Sequence, residues 1–426
     1  MLTLQYLRDN KDEALKRLAK RGNPELEELV SKALSLDAES RKIRAEAEAL
    51  QAEVNKASKD IGARMREGDQ AGAEALKQRV SEIKNEAQEQ KAELMRKDSD
   101  LATVLYQIPN VPGPDVPAGR TPEENEEVFR SGNLPEPGRT PLPHWELASK
   151  YALIDFETGV KITGAGFPLY TGKGAKLQRA LINFFLDRAD IAGYHEVIPP
   201  LVVNEDSGIG TGQLPDKEGQ MYYMGEDELY LIPTAEVPIT NIFRDVILNE
   251  EDLPIKKCGY TPCFRREAGS YGKDVRGLNR LHQFDKVEIV EITKPEESYA
   301  VLQAMTEHVK GLLDALELPY RILRLCGGDM GFAAATTYDF EVFSAGQDRW
   351  LEVSSVSNFE DFQSNRLKCR FRRKGEKQTA LVHTLNGSAL ALPRIVAALL
   401  ENNQDETGIK IPPALVPYTG FDRIEA

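Results

Sequence analysis

No stretch of this sequence approaches the ~20 consecutive apolar residues that a membrane-crossing helix needs. The opening residues, MLTLQYLRDNKDEALKR, turn charged within ten positions and hold no apolar core of secretory-signal length. Cysteine is scarce. Cys258, Cys263, Cys326 and Cys369 lie far apart with no metal-ligand spacing, which reads as buried, reduced thiols of a cytosolic protein. The five histidines show no ligand spacing either, so no zinc is expected. Cationic excess is also missing: the net charge is −14. A chain that holds RNA by bulk charge is usually basic, so any nucleic-acid contact must rest on a local patch. The expectation is a cytoplasmic protein with no membrane partner.

Several familiar motifs start and fail. Gly172-Lys173 resembles part of a phosphate loop, but Gly174 stands where Ser or Thr is required, and no glycine sits at the required spacing upstream. Gly208, Gly210 and Gly212 do not complete a dinucleotide fingerprint. Asn386-Gly387-Ser388 fits a glycosylation acceptor, which has no use without secretion.

What is present is a chain of 426 residues, 41% hydrophobic, enough for a globular protein of two or three domains. Its acidity is uneven. Residues 1–100 carry 20 Lys and Arg against 21 Asp and Glu, of 54 and 68 in the whole chain, so the later part holds nearly all the excess. Apolar or small residues recur every three or four positions at Leu26, Leu29, Ala33, Leu36, Ser40, Ile43, Ala47, Leu50, Val54, Ala57 and Ile61. The rhythm returns at Ala73, Leu76, Val80, Ile83, Ala87, Gln90, Leu94 and Leu101, with Gly62, Gly68 and Gly72 between the two runs. These are heptads, and they predict two long helices folded back as an antiparallel coiled-coil hairpin. A helix of ~36 residues spans on the order of 54 Å, so the hairpin should project as an arm. It could be a dimerisation scaffold or an arm reaching for a partner. Lys56, Lys59, Arg64, Arg66, Lys77, Arg79 and Lys84 gather toward its tip and could meet a phosphate backbone or simply be a solvated face.

Prolines from Pro109 to Pro143 then break any helix. The expected organisation is an N-terminal arm domain over 1–105, a Pro-rich linker over 106–145 and a C-terminal domain over 146–426. The last has helices over Gly174–Ala192, Pro295–Leu316 and Ser388–Asn402. Strand-like runs alternate with them at Leu229–Ile232, Tyr260–Arg266, Gln283–Glu291, Asp339–Phe343 and Trp350–Ser355. This pattern predicts an α+β fold with a mainly antiparallel sheet.

Three segments in or beside these runs carry charged or polar groups at period two, which in a strand places them on one face. They are Arg265 with Glu267, Phe284 with Lys286 and Glu288, and Thr234 with Glu236. Burying such a face is costly unless it binds a polar ligand.

The run Thr261-Pro262-Cys263-Phe264-Arg265-Arg266-Glu267-Ala268-Gly269, continuing to Arg276-Gly277-Leu278 and Arg280-Leu281-His282-Gln283-Phe284, resembles motif 2 of class II aminoacyl-tRNA synthetases in its seryl form. Asn386-Gly387-Ser388 through Arg394 resembles motif 3, and Gly193-Tyr194-His195-Glu196 to Pro200 resembles motif 1, which builds a dimer interface in that family. Gly210-Thr211-Gly212-Gln213-Leu214-Pro215, Thr234-Ala235-Glu236 and Glu352-Val353-Ser354-Ser355 also match the seryl pattern. The resemblance covers nearly the whole chain, arm included.

The resemblance implies serine–tRNA ligation: ATP and L-serine form seryl-adenylate, and serine passes to the terminal adenosine of tRNA(Ser), and of tRNA(Sec) where one exists. It implies a homodimer and Mg²⁺ with ATP. Arg265 and Arg394 would be catalytic, meeting the α- and far phosphates. Arg266, Glu267, Phe284, Lys286, Glu352, Val353, Ser354 and Ser355 would complete the ATP site, with Phe284 stacking on adenine and Glu352 and Ser355 holding Mg²⁺. Thr234, Ala235, Glu236, Arg265, Glu288, Asn386 and Ser388 would surround serine. The spacing of three between Glu352 and Ser355 breaks strand alternation, so Ser355 is expected at a strand end or bulge. Thr336 stands where lysine is frequent in the family, Val356 where cysteine is common, and Phe343 replaces a frequent tryptophan; Ala389 and Pro393 vary motif 3. One alternative is a paralogue that loads a carrier protein, but such paralogues lack the arm. Another is a catalytically inactive synthetase-like RNA-binding or structural protein, which would typically have lost Arg265, Glu267, Glu288 or Arg394.

Overall fold

A computed structural model describes residues 1–134, 141–216, 219–267 and 276–425. The motif 2 residues Ala268 and Gly269 and most of the loop up to Arg276 lie outside the described residues, as do Pro135 and Pro137 of the linker. The chain forms two compact units. One comprises residues 2–19 and 23–109, the other 110–426 together with Met1 and Lys20–Gly22.

The first unit is dominated by the predicted hairpin. Helix α1 (Glu25–Glu67) has 43 residues and helix α2 (Gln70–Leu105) has 36. Acids in the first turn of α1 (Glu25, Glu27, Glu28) and Arg64 and Arg66 in its last turn complement its dipole. The turn falls at Gly68, whose φ of +80° caps α1 in the left-handed region, followed by Asp69, which accepts the Gly72 N–H at 2.9 Å to start α2. Gly62, by contrast, lies inside α1. The seam buries Leu26, Ala33, Leu36, Ser40, Val54 and Ala57 against Ala73, Val80, Ile83 and Leu101. Val30 is buried where the heptad placed Leu29, which is only half-covered.

The second unit is built on an eight-stranded sheet. Its strands are β1 (Glu126–Ser131), β2 (His195–Glu196), β3 (Ile255–Phe264), β4 (Gln283–Thr293), β5 (Tyr320–Arg324), β6 (Thr336–Ser344), β7 (Arg349–Glu360) and β8 (His383–Ala391). The spatial order is β1-β5-β6-β7-β8-β4-β3-β2, antiparallel except between β2 and β3. Helices α3 (Gly172–Ile191), α4 (Ser298–Ala315) and α5 (Leu392–Asn402) bury Leu181, Phe185, Met305, Val309, Ile395 and Leu399 in one core with Val287, Ile289, Phe340, Val342, Val356 and Leu385 of the sheet. Alternation then turns Lys286, Glu288, Asp339, Ser355, Asn386 and Ser388 to the opposite face, which carries the candidate site. The α+β architecture matches the expectation.

Three local expectations differ. The helix expected over Ser388–Asn402 begins only at Leu392, because Ser388 is still paired to Glu288 in the sheet and Pro393 suits a helix first turn. Strand β3 ends at Phe264, and Glu267 adopts a φ of +46°, so period-two alternation does not relate Arg265 to Glu267. Thr234-Ala235-Glu236 is not a strand: Glu236 opens a short helix (Glu236–Asn241), and its N–H donates to the Thr234 hydroxyl at 3.2 Å.

Candidate active site

Strands β4 and β8 and the helix at Glu236 bring most of the expected serine-binding residues together. Glu288 sits opposite Ser388 in the β4–β8 ladder. The Asn386 amide donates to Glu236 Oε2 at 2.9 Å and to Glu288 Oε1 at 3.0 Å, bridging the two carboxylates. Lys286 Nζ lies 2.5 Å from Glu288 Oε2 and donates to the Thr234 hydroxyl at 2.8 Å. Lys286 and Glu288 are buried, so each charge depends on the other. Ala235 is fully buried and offers only backbone. Glu236 is buried; burial and the neighbouring Glu288 push its carboxyl up to about 7.

Sequence reasoning missed the residue that holds Glu236 from behind. Gln363 donates to Glu236 Oε1 at 2.7 Å and to the Thr211 carbonyl at 3.1 Å, and accepts from the Thr384 hydroxyl at 2.7 Å. A Gln in a short helix gives no periodic signal, and its partner lies 127 positions away.

Arg265 leaves the end of β3 with its N–H bonded to the His282 carbonyl at 3.0 Å and its Nε to the Pro233 carbonyl at 3.3 Å. Its guanidinium lies 5.2 Å from the Phe284 ring centroid. The Arg266 N–H is bonded to the Gln220 carbonyl, and its guanidinium lies 5.8 Å from the Tyr222 ring. Glu267 is paired with Arg280 at 2.8 Å. Arg394 rises from the first turn of α5; its Nε donates to the Asn279 carbonyl at 3.0 Å, and its terminal nitrogen donates to the Glu352 carbonyl at 2.8 Å and lies 3.6 Å from the Glu352 carboxylate. Ser354 is turned away from this group and donates to the Ser388 carbonyl at 2.5 Å, while Val353 is buried in the core.

Glu352 and Ser355 share a face through a bulge. The β6–β7 register pairs Asp339 with Ser355 and Phe340 with Ser354, then skips Val353 and pairs Glu341 with Glu352. The irregularity thus falls at Val353, between the two residues, and resets the alternation. It also exposes a group the sequence reading did not single out, Asp339. Its Oδ1 is buried and has no hydrogen-bond partner among the described residues. Burial, then the Glu352 charge, raise its carboxyl well above the carboxylate range, and Ser355 opposes this. A buried, unpartnered carboxylate oxygen beside an exposed carboxylate and a hydroxyl fits a hard divalent cation, which needs only one or two protein carboxylates when phosphates supply further oxygens. Among the described residues there is no cluster of three or more His, Cys, Asp or Glu that could hold a metal by itself.

The variant positions fall outside this geometry. Thr336 packs under the linker, where a Cβ on Gly113 would stand 2.5 Å from its hydroxyl. Val356 is core, and Phe343 meets Trp350 edge-on at 5.3 Å. On the hairpin, Arg64, Lys77 and Arg79 are tied to Asp69, Glu74 and Glu53 or Glu82. Lys56, Lys59, Arg66 and Lys84 are exposed and in no ion pair among the described residues.

Residues 1–112 match the family described as the seryl-tRNA synthetase N-terminal domain, and residues 222–403 match the class II tRNA synthetase core domain (G, H, P, S and T). The chain is 52% identical over 406 residues to a serine–tRNA ligase of Salinibacter ruber, covering 95% of this chain and 94% of that protein. It is 46% identical to one from Chlorobium phaeovibrioides, covering 100% and 99%. The seryl-tRNA synthetase of Pyrococcus horikoshii, solved in complex with ATP, is similar with a TM-score of 0.94 at 34% identity, over 100% of this chain and 99% of that one. This chain belongs to the seryl-tRNA synthetase family.

Proposed function

We propose that this protein is a serine–tRNA ligase, an ATP-dependent enzyme that makes seryl-adenylate and then seryl-tRNA. The observation that carries the reading is the joining of Glu236 and Glu288 by one Asn386 amide, with Arg265 at the adjoining strand end. Two buried carboxylates suit an ammonium group and a hydroxyl on one small ligand. Arg265 and Arg394 suit the phosphates.

No protein nucleophile is required. The serine carboxylate attacks the α-phosphorus of ATP in line, the bond to the bridging oxygen breaks, and pyrophosphate leaves with the electron pair. A ribose hydroxyl of the terminal adenosine then attacks the seryl carbonyl, and AMP leaves. Arg265 neutralises charge developing on the α-phosphate, and Arg394 orients the far phosphates. Glu267, Phe284 and Arg266 line the nucleoside side. Asp339, Glu352 and Ser355 would hold Mg²⁺, which supplies charge neutralisation to the bound triphosphate. Thr234, Lys286 and Ser388 complete the pocket for serine. A site that pairs the serine hydroxyl rejects alanine, because its own buried polar groups would be left unpaired.

The proposal extends to a functional division into arm (1–105), linker (106–145) and catalytic region (146–426). It places tRNA(Ser), and tRNA(Sec) where one exists, on the arm, with Lys56, Lys59, Arg66 and Lys84 as cations available for phosphates. It includes a homodimer in the cytoplasm. The exposed Ile191 just before the motif 1 segment and Ile198 within it, 76% and 89% accessible, suit burial by a second copy. No helix among the described residues is long and apolar enough to cross a membrane.

Amino-acid-dependent ATP–pyrophosphate exchange tests this, with serine, alanine and threonine side by side. Exchange with serine alone is expected. Folded protein with Mg²⁺ and no exchange would sink the catalytic reading.

A further inference from the structure

Helix α5 carries Arg394 at one end and, at the other, Glu401, which lies outside the serine and phosphate groups of the site. It is 1% exposed. Its carboxylate accepts from the His144 backbone N–H at 2.9 Å, His144 Nδ1 at 2.7 Å, the Ser344 hydroxyl, the Gly346 N–H at 3.1 Å and the Gln347 amide at 3.3 Å. This many donors saturate both oxygens, so the charge is compensated where it sits.

His144 is fully buried directly after Pro143, where it opens a short helix (His144–Lys150). Its Nε2 accepts the Leu278 N–H at 2.8 Å. Nε2 is therefore the unprotonated nitrogen, Nδ1 carries the hydrogen toward Glu401, and the ring is a neutral imidazole fixed at both ends. The fit to the 276–281 backbone is close: a Cβ on Gly277 would stand 2.2 Å from Nε2. One residue beyond Leu278, the Asn279 carbonyl receives Arg394 Nε at 3.0 Å, while the Asn279 amide donates to Gln347 at 2.9 Å. Gln347 donates back to Glu401. The bonds close a ring from Glu401 through His144, the 278–279 backbone and Gln347.

We infer that His144, oriented by Glu401, is a positioning residue for ATP: it anchors the 278–279 backbone whose Asn279 carbonyl aims the Arg394 guanidinium. This rests on the reading of Arg394 as a phosphate ligand. The serine pocket receives no bond from this ring. Loosening it should therefore weaken ATP use and spare serine use, whereas a merely structural role would disturb both or neither.

Steady-state pyrophosphate exchange on the full-length protein tests this with three variants. His144→Asn keeps a donor for Glu401 and loses the acceptor for Leu278. His144→Gln can restore an acceptor near the Nε2 position. Gln347→Ala, at a half-buried turn, cuts the ring without touching the imidazole and guards against misfolding of the other two. The expected result for His144→Asn is a KM for ATP raised about tenfold with the KM for serine within about twofold, a loss typical of sub-ångström misplacement. His144→Gln should recover most of it, and Gln347→Ala should raise the KM for ATP less, in the same direction. Unchanged KM for ATP in folded His144→Asn overturns the inference, and so does a parallel rise in both KM values. If His144→Asn does not fold, an unchanged KM for ATP in Gln347→Ala overturns it. Wild-type protein with no serine-dependent exchange would instead strike at the functional reading beneath it.

Discussion

The arm and the catalytic sheet use charge in opposite ways. Between α1 and α2, Arg44 pairs with Asp98 at 3.1 Å, with side chains 52% and 44% exposed. In the sheet, Lys286 pairs with Glu288 at 2.5 Å, with side chains 6% and 0% exposed. The first kind of pair is screened by water and salt and adds little to stability, so the arm can exchange these partners for a phosphate backbone at small cost. The second kind is costly to form and costlier to break, because removing one partner strands the other in a low dielectric. A surface of many weak pairs suits reading a large, polar, variable partner. A few buried groups held in fixed places suit distinguishing one small molecule from another.

Three experiments sharpen or break this contrast. The largest effect is expected for Arg265→Ala, which removes the cation proposed to meet the α-phosphate, a side chain outside the hydrophobic core. Serine-dependent exchange should fall by about a thousandfold, with the thermal midpoint nearly unchanged. A folded variant with wild-type exchange would remove Arg265 from the site. Next is deletion of residues 26–101. Exchange should survive, while tRNA charging drops by about a hundredfold as phosphate contacts are lost. Full charging by the armless protein would make the hairpin a scaffold instead.

The smallest effect concerns pH. Glu236 is raised from 4.5 to about 7 in the ligand-free protein. If its carboxylate receives the serine ammonium, the KM for serine should fall severalfold as pH rises through about 7, and Glu236→Gln should have a weaker but flat profile. Stability runs the other way. The fold favours the neutral form, so this group's contribution is complete below about 4.5 and is lost as pH rises through about 7. A Glu236→Gln variant with the wild-type pH profile would assign the titration to another group.

Much of this was legible in the sequence, for reasons that differ by element. The arm was legible because a two-helix seam has one repeating requirement, met at Leu26, Ala33, Val54, Ile83 and Leu101. Strand β4 was legible because Lys286 and Glu288 interrupt an apolar run at period two. The same period misled at Thr234-Ala235-Glu236, where a turn entering a helix also brings residues i and i+2 together. Asp339 was passed over because a single carboxylate in a strand has no local mark; only its unpartnered oxygen beside Glu352 gives it meaning. The His144–Glu401 bond joins positions 257 apart, and no spacing rule reaches that far.

The bulge at Val353 has a consequence for how this region tolerates loss of sequence. Because Val353 faces no partner in the β6–β7 register, its removal leaves Ser354 and Ser355 opposite Phe340 and Asp339, and Glu352 opposite Glu341. Removing Ser354 instead lets Val353 take the place opposite Phe340, with Ser355 still opposite Asp339 and Glu352 opposite Glu341. Val353 and Ser354 therefore share one slack position between Glu352 and Ser355, and gaps among relatives should gather there. The buried Val353 side chain makes its own loss the more expensive in packing, but the oxygen-bearing face would survive either gap.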